Sequence, residues 1–122
     1  MKKLLALSLL ALAACSPTVD EIAPRDLKKG SLILDVRTPE EHQTISLLQK
    51  HWFVPLKELN ATQFIQEYKL DRSTPLYILC RTGKRAAVAA KEFKKAGFEN
   101  VAVIRGGIIA AEKAGLPIKN AY

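Results

Sequence analysis

The sequence predicts one α/β domain with a mainly parallel central sheet and helices on both faces of that sheet. Two patterns carry this prediction. Short apolar runs bounded by glycine or proline have the length of buried strands, and they alternate with segments of helical periodicity. A chain in which strands and helices alternate packs its helices against a parallel sheet. The length of 122 residues suits a single hydrophobic core.

The first predicted strand covers residues 32–36, an apolar run that follows Gly30. A helix begins at residues 38–41, because Thr38 is a favoured N-cap and Pro39 fits the first turn. The remaining predicted elements are a helical segment over residues 56–70, a strand over 75–80, a helix over 84–96 before Gly97, a strand over 101–104 and a short helix to residue 114.

Charge is distributed unevenly along the chain. Residues 20–79 carry eight basic and nine acidic side chains, whereas residues 80–122 carry nine basic and three acidic ones. The positive second half favours an anionic partner, although a helix face exposed to water accounts well for Lys91, Lys94 and Lys95. Aromatic residues are not interleaved with the basic ones, so the pattern does not indicate a nucleic-acid-binding surface.

The N-terminal segment predicts export and anchoring. Two lysines precede an uncharged run over residues 4–14, which is much shorter than the ~20 residues of a membrane-spanning helix. The end of this run, Leu12-Ala13-Ala14-Cys15, resembles the lipobox of bacterial lipoproteins. That resemblance implies a signal peptide over residues 1–14, lipid on Cys15, a tether over 15–23 and a domain over 24–122. The alternative is an ordinary cleavage site with a chance cysteine beside it.

A lipoprotein of this kind is anchored to a bacterial membrane through its N-terminal lipid and faces the periplasm. Ser16, which follows the lipobox cysteine, favours the outer membrane if the bacterium is Gram-negative. Once Cys15 carries lipid, Cys80 has no partner for an internal disulfide, although exported proteins fold in an oxidising compartment.

Cys80 lies where the fold predicts chemistry. It ends the predicted strand over residues 75–80, and loops at the carboxyl ends of parallel strands form the binding crevice of an α/β sheet. The start of the next helix favours the thiolate over the thiol, and so do the basic side chains of Arg81, Lys84 and Arg85. Gly83 lets the backbone curl so that amides point inward. From these residues alone, a buried cysteine before an ordinary turn remains the alternative.

The segment Cys80-Arg81-Thr82-Gly83-Lys84-Arg85-Ala86 resembles the active-site loop of the rhodanese family of sulfurtransferases. Two further segments occur in the order that the family shows. Residues 34–41 are similar to its first strand motif, and residues 97–117 are similar to its C-terminal pattern. The resemblance covers about residues 24–118 and implies a rhodanese-like fold.

The resemblance also implies a two-step reaction. Cys80 takes the outer sulfur of thiosulfate or a related sulfane donor as a persulfide, and a thiol or cyanide then accepts that sulfur. The resemblance further implies structural roles for Asp35 and Arg37 and a substrate-binding loop made of Arg81, Thr82, Gly83, Lys84 and Arg85. The partners are then a small anionic donor and the acceptor, and no cofactor, metal or nucleic acid is expected. The sequence does not indicate an oligomeric state.

Two places depart from the family pattern. Residues 42–54 replace a Gly-His-Ile-Pro-Gly-Ala-like stretch, so we expect the wall beside the pocket to differ. Ala111 stands where a tryptophan is common, and Trp52 can replace its bulk only if the fold brings the two together. His42 and His51 lie outside the motif, and we expect surface or hydrogen-bonded histidines there.

Two other functions compete with sulfur transfer. Phosphatases and arsenate reductases of the rhodanese-fold type place five residues between cysteine and arginine, whereas four residues separate Cys80 from Arg85. The shorter loop argues against a tetrahedral oxyanion as substrate. The second competitor is a non-turnover module that carries persulfide or binds another protein. The cysteine argues against a purely structural role, but carriage and turnover look alike in sequence, and a cyanide-dependent turnover assay separates the two.

Overall fold

A five-stranded parallel sheet lies at the centre of the computed structural model, which describes residues 18–121. The strands are β1 (Glu21–Ile22), β2 (Leu32–Asp35), β3 (Ile45–Leu47), β4 (Trp52–Phe53), β5 (Leu76–Leu79), β6 (Val101–Ile104) and β7 (Ile118–Asn120). The spatial order of the central sheet is β1-β6-β5-β2-β4, and a separate antiparallel pair joins β3 to β7. The helices are α1 (Pro39–Thr44), α2 (Ala61–Glu67), α3 (Lys84–Lys95) and α4 (Gly107–Lys113), with 3₁₀ turns at Pro24–Asp26 and Leu56–Glu58.

Both faces of the sheet are covered by apolar side chains. Successive strand residues point to opposite faces, so Ile78 joins one core cluster and Leu79 the other. On one face α2 and α3 bury a set of small and aromatic residues: Ala61, Phe64, Ala86, Ala89, Ala90 and Phe93. On the other face α4 buries Ile108 and Ala111. The predicted parallel sheet with helices on both faces is therefore confirmed.

The structure divides the helical segment predicted over residues 56–70. A 3₁₀ turn at Leu56–Glu58 is followed by Leu59 in extended backbone, and α2 begins only at Ala61. The break occurs because Asn60 caps α2: its side chain accepts a hydrogen bond from the Gln63 N–H at 3.0 Å. One continuous helix over this segment is thus the wrong prediction, although the apolar spacing holds within α2.

Strand β1 lies within the segment that the sequence pattern assigns to the tether. Glu21 pairs with Val103 and Ile22 with Ile104, so the folded domain begins before Glu21 instead of at residue 24. The predicted signal peptide and Cys15 lie outside the described residues. Among the helices of residues 18–121, none combines the length and the apolar character needed to cross a bilayer.

Candidate active site

Cys80 directly follows β5, between the carboxyl ends of two neighbouring strands. Asp35 at the end of β2 is in register with Leu79 at the end of β5, and the Val36 N–H donates to the Leu79 carbonyl at 2.9 Å. Cys80 is 1% exposed. The sheet therefore brings this sulfur to the edge where open α/β folds bind ligands, and the loop after β5 encloses it.

The backbone of the Cys80 loop points a hydrogen-bond donor at the sulfur. The Gly83 N–H donates to Cys80 Sγ at 3.0 Å. Gly83 has φ +119° and is the N-cap of α3, a conformation that other residue types rarely adopt. Its carbonyl accepts the Ala87 N–H at 3.0 Å, so the curled loop continues directly into the helix. A donor held in this way stabilises negative charge on the sulfur.

The cations of the loop are in two different situations. Arg81 and Lys84 are exposed, and within the described residues neither forms an ion pair. Arg85 is half-buried, and its two terminal nitrogens donate to the two carboxylate oxygens of Glu41 at 2.7 and 2.9 Å. This hydrogen bonding lowers the pKa of Glu41 to about 2 and raises the pKa of Arg85. Arg81 and Lys84 therefore carry the unbalanced positive charge.

Glu41 also lies at the helix start that the sequence predicts. Its backbone N–H donates to Thr38 Oγ1 at 3.2 Å, and its carboxylate accepts the Thr38 N–H at 3.0 Å. This capping box begins α1 and fixes the side chain that holds Arg85. The sequence predicts a helix start at residues 38–41 but does not indicate a partner for the Glu41 side chain. Its contact with Arg85 follows from the pairing of β2 with β5, for which no local pattern exists.

A close backbone contact from α4 also holds the Cys80 loop. The Ile108 N–H donates to the Cys80 carbonyl at 2.8 Å. A Cβ atom at Gly107 would overlap the carbonyl groups of Cys80 and Arg81, so this approach requires glycine. The sequence indicates no role for Gly107 in the site. The signal that could have revealed one is the pair of adjacent glycines, Gly106 and Gly107, within the family-like segment 97–117.

Asp35 and Arg37 form a buried ion pair below the site. Arg37 Nη2 lies 2.8 Å from Asp35 Oδ2, and both side chains are at most 1% exposed. Arg37 also donates to the carbonyls of Ile45 at 2.8 Å and Glu41 at 3.3 Å. These contacts connect the end of β2 to α1 and β3, and hence to the helix that carries Glu41.

Trp52 does not fill the space that a tryptophan at position 111 would occupy. Trp52 packs against Phe64 with ring centroids 5.2 Å apart, in the core cluster under α2 and α3. Ala111 is fully buried in the other cluster, on the opposite face of the sheet. Residues 42–54 form the end of α1 together with β3 and β4, so this segment builds a sheet edge as well as the surroundings of Asp35.

Comparison with known proteins identifies the family. The model of the rhodanese-like domain matches residues 19–114. The probable adenylyltransferase/sulfurtransferase MoeZ of Mycobacterium tuberculosis is 31% identical over 102 residues, which cover 79% of this chain and 25% of MoeZ. The thiosulfate sulfurtransferase GlpE of Vibrio cholerae is 27% identical over 92 residues, which cover 75% of this chain and 82% of GlpE.

A solved structure shows the same fold. The crystal structure of a rhodanese-related protein from Thermoplasma volcanium has a TM-score of 0.67 and 27% identity to this chain, and the match covers 82% of this chain and 97% of that one. The chain spans only about a quarter of the length of MoeZ. Family model, curated relatives and fold agree, and the chain belongs to the rhodanese-like domain family, whose members include sulfurtransferases.

Proposed function

We propose that this protein transfers sulfane sulfur from thiosulfate or a related donor, through a persulfide on Cys80, to a thiol or cyanide. The observation that carries the proposal is the 3.0 Å hydrogen bond from the Gly83 N–H to Cys80 Sγ at the end of β5. A cysteine beside a fixed donor, a helix start and several cations is in the surroundings that activate a sulfur nucleophile.

In the first step, the Cys80 thiolate attacks the outer sulfur of thiosulfate. A bond forms between Sγ and that sulfur, while the bond between the two thiosulfate sulfurs breaks and its electron pair leaves with sulfite. The product is a persulfide anion on Cys80. In the second step cyanide attacks the terminal sulfur, the persulfide bond breaks, and thiocyanate leaves while the thiolate is restored. Neither step needs a histidine base or an external oxidant.

The charges around the loop suit an anionic donor. Arg81 and Lys84 are exposed and flank the buried Cys80 in sequence. Because no carboxylate of the described residues pairs with them, their positive charges can attract a dianion to the loop. The curated name of GlpE, of which the matched segment covers 82%, supports thiosulfate as the first donor to test.

The experiment measures mass and turnover on the same preparation. The reduced protein is treated with thiosulfate and analysed by mass spectrometry, where we expect a gain of about one sulfur, roughly 32 Da, through the covalent route. Cyanide should remove this sulfur, and repeated cycles should give many equivalents of thiocyanate per chain. Cys80→Ser should abolish both results, while Cys15→Ser serves as the matched cysteine control. One stoichiometric sulfur without turnover would identify a carrier, and no sulfur uptake would exclude the proposal.

We further propose that the mature protein begins at Cys15 and is held by lipid on the periplasmic side of a bacterial membrane, the outer one if the bacterium is Gram-negative. The short apolar run and the Leu-Ala-Ala-Cys ending support this proposal. Mass spectrometry of the membrane fraction should find Cys15 as the lipid-modified first residue, and Cys15→Ser should release the protein or leave it unprocessed. An unmodified Cys15 in the mature membrane fraction would contradict it.

A further inference from the structure

The two histidines of the chain meet beside the buried Asp35, although eight residues separate them in sequence. His42 belongs to α1, and His51 immediately precedes β4. Their Nε2 atoms lie 2.9 Å apart, and both side chains are half-buried. The His42 ring stacks on Phe53 with centroids 4.2 Å apart, which fixes its orientation. An oxygen of Asp35 lies within 4.8 Å of both histidine nitrogens.

The hydrogen bonds determine which nitrogens carry lone pairs. His51 Nδ1 lies 2.7 Å from the Gln49 carbonyl, and a carbonyl only accepts, so the proton of the neutral ring resides on Nδ1. His51 Nε2 then presents a lone pair to His42. Within residues 18–121, His42 Nδ1 makes no hydrogen bond, so it can carry the proton of the His42 ring instead. In the metal-free pair the His42 Nε2–H donates to this lone pair at 2.9 Å, whereas in the Nδ1–H tautomer of His42 both Nε2 atoms are free to bind a metal ion.

The two Nε2 atoms could supply two of the four ligands of a tetrahedral transition-metal site. A histidine that binds a metal commonly donates its other ring N–H to a backbone carbonyl, as His51 does to Gln49. A tetrahedral zinc ion at ~2.0–2.1 Å from each nitrogen needs the two nitrogens about 3.3 Å apart, so a small opening of the pair suffices. His51 also lines an apolar recess of about 910 Å³.

We propose that His42 and His51 bind one divalent ion of the zinc class through their Nε2 atoms, with Asp35 as the neighbouring carboxylate and water in the remaining positions. The charges select the class of ion. Arg37 makes four hydrogen bonds to the Asp35 carboxylate. The negative charge of Asp35 is therefore already balanced by Arg37 and adds little attraction for a cation. Mg²⁺ and Ca²⁺ need oxygen ligands and gain little here, whereas Zn²⁺ binds imidazole nitrogen strongly.

The test uses the untagged full chain with Cys15→Ser and Cys80→Ser, so that thiolates do not bind the metal. Zinc chloride is titrated by calorimetry and by NMR of the imidazole resonances. Because the chain has two histidines, each resonance reports on this pair. We expect one ion per chain, shifts of both imidazole signals, and no shift with Mg²⁺. His42→Gln and His51→Gln should each weaken zinc binding by ~10-fold or more, and the adjacent exposed Gln43→Ala should not.

Two results would overturn the proposal. Zinc that leaves both imidazole signals unmoved would show that the pair is only a hydrogen bond between rings. Equal zinc affinity in the wild type and both histidine variants would place the ion elsewhere. Circular dichroism shows whether each variant is folded, and where one is not, the imidazole signals of the unsubstituted chain decide. The result is independent of sulfur transfer, since Cys80 is replaced by serine throughout.

Discussion

The carboxylate of Glu41 accepts two hydrogen bonds from the guanidinium of Arg85, 44 residues later in the chain, at 2.7 and 2.9 Å. Glu41 belongs to the helix that follows β2, and Arg85 to the first turn of the helix that follows β5. The pair therefore connects the two neighbouring strand ends across the site. It also removes one positive charge from the field that an anionic donor meets.

We expect Glu41→Gln to destabilise the protein at neutral pH. The folded-state pKa of Glu41 is about 2, below its ordinary value of 4.5, so its stabilisation is complete above pH 4.5 and is lost as pH falls towards 2. For a partly exposed pair the loss at pH 7 is about 1 kcal/mol. Urea unfolding at pH 7, 4.5 and 3 measures it.

The control for this substitution is Glu40→Gln, since Glu40 is exposed on the same helical turn and forms no ion pair within the described part of the chain. It should leave the free energy of unfolding nearly unchanged. The difference between wild type and Glu41→Gln should shrink as the pH falls below 4.5. A difference that stays constant from pH 7 to 3 would assign the loss to packing instead of charge.

Arg85→Ala should raise the KM for thiosulfate, because it leaves the Glu41 carboxylate facing the loop without its partner. The expected increase is roughly twofold to fivefold, which corresponds to the energy of a partly exposed charge pair. KM should also rise with salt, since exposed charges are screened. If Arg85 acts only by neutralising Glu41, the double variant with Glu41→Gln recovers most of the loss. A double variant as impaired as Arg85→Ala would indicate direct contact between Arg85 and the donor.

Gly107→Ala should damage the Cys80 loop and the fold together. The new Cβ overlaps the carbonyls of Cys80 and Arg81, so the backbone of α4 or of the loop must move, at a cost of about 2 kcal/mol beyond that of the positive φ. Gly115→Ala is the control, because Gly115 also has a positive φ and a Cβ added there would meet no heavy atom within 4 Å. It should cost only about 1 kcal/mol. Thermal unfolding and sulfur uptake compare the two variants.

Phe93→Ala should cost about 3–5 kcal/mol, because it opens a cavity between α3 and the sheet. Phe93 is fully buried and lies edge-on to Phe64 and Phe98, with ring centroids 5.7 and 6.3 Å away. Val88→Ala on the same helix is the control, since Val88 is 50% exposed, and its effect should stay within about 0.5 kcal/mol. Similar unfolding midpoints for the two variants would contradict the described core.

Elements with a strong local pattern could be predicted from sequence. Strands β5 and β6 are apolar runs and β2 is apolar up to Asp35, the start of α1 has a favoured N-cap, and the Cys80 loop has a specific motif. The two-residue strands β1 and β4 have no such pattern, because only pairing with a neighbouring strand makes them strands. The contacts of Glu41 with Arg85 and of His42 with His51 could not be predicted either, because they depend on which strands lie side by side.

Strand β1 shields the backbone of β6. The Val103 N–H donates to the Asp20 carbonyl at 2.8 Å, and the Arg105 N–H donates to the Ile22 carbonyl at 2.9 Å. A protein shortened to begin at Pro24 would leave β6, with its sequence Val-Ala-Val-Ile, as a bare outer edge. Such an edge pairs readily with strands of other molecules. We therefore expect a shortened protein to aggregate more than the full chain as its concentration rises.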